Sequence, residues 1–203
     1  MSIPARQHYY TPEEYLALER AADYRSEYLN GEIYAMAGGT PQHGAIAVNI
    51  GSELRAQLKA KPCQVFPSDV KIRTTPGGLF AYPDISVVCG PLNYHDAHRD
   101  VLTNPVLLVE VLSESTEAFD RGRKFYQYRQ IETLTDSLLV SQEEPSIDHY
   151  AKQPDGRWLL TTVVGLDARL YLASLDCTLL LREVYAKIEF PSQPGAEDQS
   201  AST

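Results

Sequence analysis

The sequence predicts an α/β fold of mixed α+β order: a central mixed β-sheet flanked by helices, with an N-terminal helix plus hairpin and a C-terminal hairpin. Three observations predict it. Two segments combine a capping threonine with a proline at the first helical position. Between the helices lie short apolar runs of strand length, and one of them, 106–112, is apolar almost throughout, as in a strand covered on both faces. Turn signals at Asn30-Gly31 and Pro154-Asp155-Gly156 mark hairpins near the two ends. The 203 residues fit one domain over 1–190 and a tail, 191–203, too poor in large apolar residues to pack and expected to be disordered.

From the N-terminus, Thr11 caps a helix, Pro12 opens it, Glu14 completes a capping box, and the helix runs to about Ala22. Strands 24–29 and 32–36 flank Asn30-Gly31. Thr40-Pro41 starts a second helix in which His43, Ile46, Ala47, Ile50, Leu54 and Leu58 share a face; it ends near Lys61-Pro62. Strands are expected at 64–74 and 82–89, separated by a Pro76-Gly77-Gly78 turn, then a polar loop over 90–104 and the strand 106–112. Asp120 is expected to cap a helix from Arg121 to about Gln130. A strand at 137–141, a hairpin of 146–150 with 157–164, a short strand at 169–172 and a closing helix at 178–188 complete the chain.

Composition narrows the function. The net charge of −9, from 18 basic and 27 acidic residues, argues against non-specific coating of nucleic acid, which scales with the phosphates neutralised. Cys63, Cys89 and Cys177 lack Cys-x-x-Cys spacing, so a zinc site is not expected, and three reduced, buried thiols are. No apolar signal region opens the chain and no run approaches the ~18 apolar residues of a membrane span. A soluble, cytoplasmic protein without membrane contact is the expectation.

Glu110 is the most informative residue. A carboxylate inside a covered strand costs several kcal/mol unless a basic partner, a proton or a metal compensates it. Asp84 follows Pro83 and opens 85–88, sharing a strand face with Ser86 and Val88. If the two strands pair, both carboxylates meet on one side of the sheet, where their repulsion favours an intervening cation. Mg²⁺ takes one or two carboxylates plus waters. Paired buried charges and a strand-entry aspartate are the plain alternatives.

Pro83-Asp84 followed by Glu110 in an apolar strand resembles the PD-(D/E)XK nuclease superfamily. The ordered set Arg25-Ser26-Glu27, Asn30-Gly31-Glu32, His43, Pro83-Asp84, Glu110-Val111-Leu112-Ser113, Asp120, Lys124 and Tyr128 resembles the Uma family of putative restriction endonucleases, abundant in cyanobacteria. The resemblance spans about Tyr10 to Tyr150. It implies a restriction-endonuclease-like core and a Mg²⁺-dependent endonuclease (with Mn²⁺ as substitute) acting on DNA. Asp84 and Glu110 would be metal ligands, and Glu27 a third acid, preferred over Glu32.

One position departs from the superfamily. The lysine expected two residues after the acid is Leu112, and the resemblance suggests that it has moved to Lys124. That residue is one turn from Asp120 on the same helix face. His43, on the apolar face of the second helix, could contact the metal site or the scissile phosphate, or be a satisfied core histidine. Lys59, Lys61, Lys71 and Arg73, with Arg121, Arg123 and Arg129, could line a nucleic-acid groove or be solvated surface. The Leu112 departure also motivates the alternative of a catalytically weak or inactive nucleic-acid-binding or assembly module. A homodimer, with exposed hairpins at its interface, is a further expectation by analogy.

Overall fold

A computed structural model describes residues 8–36, 38–114 and 116–190; the tail expected at 191–203 lies outside them. The central layer is a six-stranded mixed sheet in the order β11 (Trp158–Val164), β10 (Ser146–Lys152), β9 (Asp136–Val140), β8 (Leu107–Val111), β6 (Ile85–Cys89) and β3 (Cys63–Pro67), numbered along the chain. Its pairs are antiparallel except β8 with β9, which is parallel.

The single sheet expected from the sequence has a companion. A second, five-stranded sheet runs β2 (Glu32–Ala35), β1 (Ser26–Leu29), β5 (Phe80–Ala81), β4 (Lys71–Arg73) and β7 (Val101–Leu102). A separate hairpin joins β12 (Arg169–Leu172) to β13 (Cys177–Leu180). The longer helices are α1 (Pro12–Ala21) and α2 (Pro41–Leu58). A third helical segment runs from α3 (Glu117–Phe119) through a π-helical turn, Asp120–Lys124, into α4 (Phe125–Tyr128), and α5 (Leu181–Val184) is one turn long.

Local chemistry accounts for the N-terminal half. Thr11 and Glu14 form the expected capping box of α1, and Thr40 caps α2 by accepting from His43 N–H. Both remove orphan donors from a helix start. Asn30 and Gly31 take φ of 51° and 95°, the left-handed pair that a two-residue hairpin with the right twist requires.

The two faces of β8 have different fates. Leu107, Val109 and Val111 pack with Ile46, Ile50, Leu54 and Leu58 of α2. Leu108 packs instead with Val88, with Ile72, Leu79 and Ala81, and with Tyr128. Strand alternation therefore turns Glu110, like Leu108, towards the layer that carries the second sheet.

Several expected elements are corrected. The strand expected at 64–74 is two strands in different sheets, because Pro67 has no N–H to extend the ladder and Val70 N–H turns back to Pro67 O at 3.2 Å. The loop 90–104 contains β7, whose Val101 and Leu102 are buried. The helix expected from 178 begins as β13, where burial alternates residue by residue, and becomes helical at Leu181. Asp120 does not cap its helix, which already starts at Glu117. Cys63 and Cys89, directly opposed on β3 and β6, are joined in a disulfide, so Cys177 alone remains a buried free thiol.

Candidate active site

The antiparallel register of β6 and β8 pairs Ile85 with Val109. Asp84 stands just before β6, and its side chain reaches the end of β8 beside Glu110. Asp84 Oδ2 accepts from Val111 N–H at 2.7 Å and lies 3.2 Å from His43 Nε2. His43 reaches it from the first turn of α2. The hydrogen bond with Asp84 raises the His43 pKa, outweighing partial burial.

Glu110 faces a denser set of groups. Its Oε1 accepts from Tyr128 Oη at 2.5 Å and lies 3.2 Å from Lys124 Nζ. Lys124 Nζ is also 3.0 Å from Glu27 Oε1 and 3.4 Å from Asp120 Oδ1. Glu27 comes from β1 and accepts in addition from Tyr82 N–H at 3.2 Å. Glu27, Glu110, Asp120 and Lys124 are all less than a tenth exposed.

Charge follows from that enclosure. Burial drives the Glu110 pKa well above the usual carboxylate range; Lys124 opposes the shift, and Asp120, Asp84 and Glu27 add to it. Lys124 is held firmly protonated: burial disfavours its charge, but Glu110, Glu27 and Asp120 outweigh it. A buried ammonium is tolerable only when such partners replace its water.

The helical turn from Asp120 makes this possible. Phe125 N–H donates to Asp120 O, the five-residue step of a π turn, and to Gly122 O. Asp120, Lys124 and Tyr128 then all face the two sheets, while Phe125 packs against Tyr150 and Trp158 on the β10–β11 hairpin.

The structure brings Glu27, Glu110 and Lys124 into one contact network and pairs Asp84 with His43 beside it, the two joined through the N–H of Val111, the residue after Glu110. Three contributors escape sequence reasoning. Tyr128 enters it only as part of a motif, and its spacing of four from Lys124 is the signal that could have tied it to Glu110. Gln142 donates to Leu112 O at 2.6 Å and accepts from Gln42 through its own carbonyl, tying the start of α2 to the end of β8; nothing local marks it. Glu19, buried, accepts from Ser26 N–H and Tyr82 Oη and so fixes the neighbours of Glu27 and Asp84. Its partner Lys71, expected on the surface or in a groove, is 3 % exposed and lies 3.9 Å away. Leu112 is buried and offers no charge.

The donor set can be weighed against a divalent cation. Among the described residues, the hydrogen bonds and ion pairs of Asp84 use Oδ2 and those of Glu110 use Oε1. Among the described residues, no hydrogen bond reaches Oδ1 of Asp84 or Oε2 of Glu110. Two carboxylates completed by water suit Mg²⁺. Among the described residues no group of three His, Cys, Asp or Glu side chains converges as a ready-made metal set, and Glu27 Oε1 is engaged by Lys124 and Tyr82. The residues thus fit a two-carboxylate site better than a three-acid one.

Asp84 and His43 open onto a groove of about 400 Å³ between α2 and β3, with Gly44, Ala47, Arg55 and Val65 among its walls. A wider cleft of about 820 Å³, between α1 and β2, includes none of the clustered residues. No helix of the described residues is long and apolar enough to cross a membrane.

Comparison with known proteins identifies the family and the fold. Residues 12–181 match the family Uma2, described as "Putative restriction endonuclease". The chain is 38 % identical over 180 residues to the uncharacterized protein slr1290 of Synechocystis sp., covering 89 % of this chain and 93 % of that protein. It is 33 % identical over 170 residues to the uncharacterized protein sll1609 of the same organism, covering 84 % and 96 %. A crystal structure described as a putative nuclease belonging to DUF820, from Anabaena variabilis, superposes with a TM-score of 0.71 at 18 % identity, covering 87 % of this chain and 97 % of that one. The chain belongs to the Uma2 family, and its fold is that of the Anabaena protein.

Proposed function

We propose that this member of the Uma2 family is a Mg²⁺-dependent endonuclease that hydrolyses phosphodiester bonds of DNA at the Asp84–Glu110 cluster. The family's description supports nuclease as the activity class. The observation that carries the finer reading is Lys124 Nζ at 3.2 Å from Glu110 Oε1. A cationic group stands beside the acid although position 112 is leucine, as a lysine relocated to the neighbouring helix would.

In this reading Asp84 and Glu110 are the residues that would hold the ion. Bound Mg²⁺ supplies a water of lowered pKa and a Lewis acid for the phosphate. His43 holds the Asp84 side chain in place. Tyr128 and Lys124 orient Glu110, and Lys124 provides fixed positive charge where negative charge develops on the phosphate oxygens. Glu27 and Asp120 hold Lys124 in place and keep it protonated, so Glu27 acts on the lysine more than on the metal. The groove beside His43 gives the substrate a route to Asp84.

The test is a calorimetric titration of Mn²⁺, with Mg²⁺ as competitor, into wild type and Asp84→Asn, paired with cleavage assays on DNA and RNA. Binding and cleavage lost together in a folded Asp84→Asn protein are the expected result. Wild-type cleavage by Asp84→Asn overturns the assignment. One observation favours a second reading, a nuclease-fold binding or assembly module: the Lys124 charge is enclosed by three carboxylates. Metal binding without cleavage of any substrate selects that reading.

A further inference from the structure

The hairpin of β10 and β11 leaves one sheet edge open. β11 ends the six-stranded sheet, and among the described residues no strand lies on its outer side. The other edges of the two larger sheets are guarded. β3 ends in Pro67, β7 has two residues, and β2 has four and begins with Glu32. Short length, proline and charge are the usual means of keeping an edge from pairing. β11 uses none of them: its seven residues, Trp-Leu-Leu-Thr-Thr-Val-Val, include no charge and no proline. Leu159, Leu160 and Val164 are 55 %, 48 % and 59 % exposed.

The main chain determines what fits there. Gln153 N–H donates to Arg157 O at 2.7 Å and Gly165 N–H to Pro145 O at 2.8 Å, just beyond the two ends of the β10–β11 ladder. Main-chain groups alternate in direction along an antiparallel strand. Arg157 and Gly165 turn inward to β10, so 159, 161 and 163 do as well. Trp158, Leu160, Thr162 and Val164 therefore present N–H and C=O outward, and this outward set is symmetric about Thr161.

We propose that β11 pairs antiparallel with β11 of a second copy of this chain, with the two-fold axis at Thr161. Trp158 then exchanges two main-chain hydrogen bonds with Val164 of the second copy, and Leu160 exchanges two with Thr162. The symmetric counterparts do the same, so all four outward residues of each copy are satisfied. Leu159 meets Val163 and Thr161 meets itself, cross-strand pairs that favour a sheet, and no charge faces a like charge. Another protein's strand could satisfy the backbone, but only a second copy necessarily supplies the same length, register and two-fold match. This inference does not depend on the nuclease reading.

Sedimentation velocity of the full chain tests it, from roughly 1 µM to 1 mM, the range spanning weak to moderate association. Wild type is expected to shift from monomer to dimer with concentration. Thr162→Pro removes an outward N–H that the monomer does not use, and Thr161→Lys sets like charges opposite each other; each is expected to weaken the dimer tenfold or more while circular dichroism stays native. Thr161→Glu alone is expected to do the same, and an equimolar mixture of the Lys and Glu variants to restore a heterodimer. A wild type that stays monomeric throughout, or variants that dimerise like wild type, overturn the proposal.

Discussion

Lys124 lies 3.2 Å from Glu110 and shares its burial, the acid coming from a strand and the lysine from the helical segment that follows it. The ammonium is the only cation within 4 Å of Glu27, Glu110 and Asp120 among the described residues. The site therefore carries an excess of negative charge that one lysine compensates.

Removing that lysine exposes the imbalance. Lys124→Ala should destabilise the protein by about 3–5 kcal/mol at neutral pH, the usual cost of stranding buried charge. The loss should shrink on acidification, since burial raises the Glu110 pKa and eases its protonation. Urea unfolding at two pH values checks this; a pH-independent loss would show that packing of the lysine stem, not its charge, is what matters.

Tyr128→Phe deletes the hydroxyl that donates to Glu110 at 2.5 Å. The expected cost is about 1–3 kcal/mol, because a buried acceptor loses its partner. Denaturant midpoints measure it. A neutral outcome would mean that Lys124 alone suffices to hold Glu110.

His43 gives a pH signature. Its pKa is raised by the bond to Asp84. A raised histidine contributes stability that is fully present below about pH 6.5, its unfolded value, and is lost as pH rises through its folded pKa. His43→Asn should flatten the fall in stability over that window. An unchanged slope would assign the pH dependence to other groups.

The disulfide makes a chemical prediction. Without reductant, thiol titration of the unfolded chain should find one reactive cysteine, Cys177, and three after reduction. The bridge closes a loop of sequence separation 26, for which chain entropy gives about 3.5 kcal/mol, so reduction should lower the melting temperature. Three thiols without reductant would show the cysteines to be unpaired.

Much of the site is legible in the sequence, for particular reasons. Glu110 stands out because a charge interrupts an apolar strand. Asp84 emerges from strand periodicity and the tendency of neighbouring strands to pair. Lys124 and Asp120 emerge from helical spacing once the family resemblance directs attention to them. Glu19, Gln142 and the Cys63–Cys89 pair are not legible, since each depends on which distant segments the topology brings together. The split of 64–74 is foreshadowed by Pro67, but apolar alternation on both sides of it conceals the change of sheet. The second sheet is assembled from strands of two to four residues, too short for periodicity to reveal.

The π turn at Asp120–Lys124 has a consequence for how this segment tolerates insertion and deletion. Loss of one residue, for instance Gly122, would give a more regular helix, and local helix formation would if anything improve. The five-residue step from Asp120 O to Phe125 N–H would become the four-residue step of an α-helix, so the residues on either side would keep their faces. Asp120 and Lys124 would then stand three apart instead of four, still neighbours on one face. A chain one residue shorter here would keep its charge cluster, and an alignment of such sequences should allow a gap of one residue within 120–124.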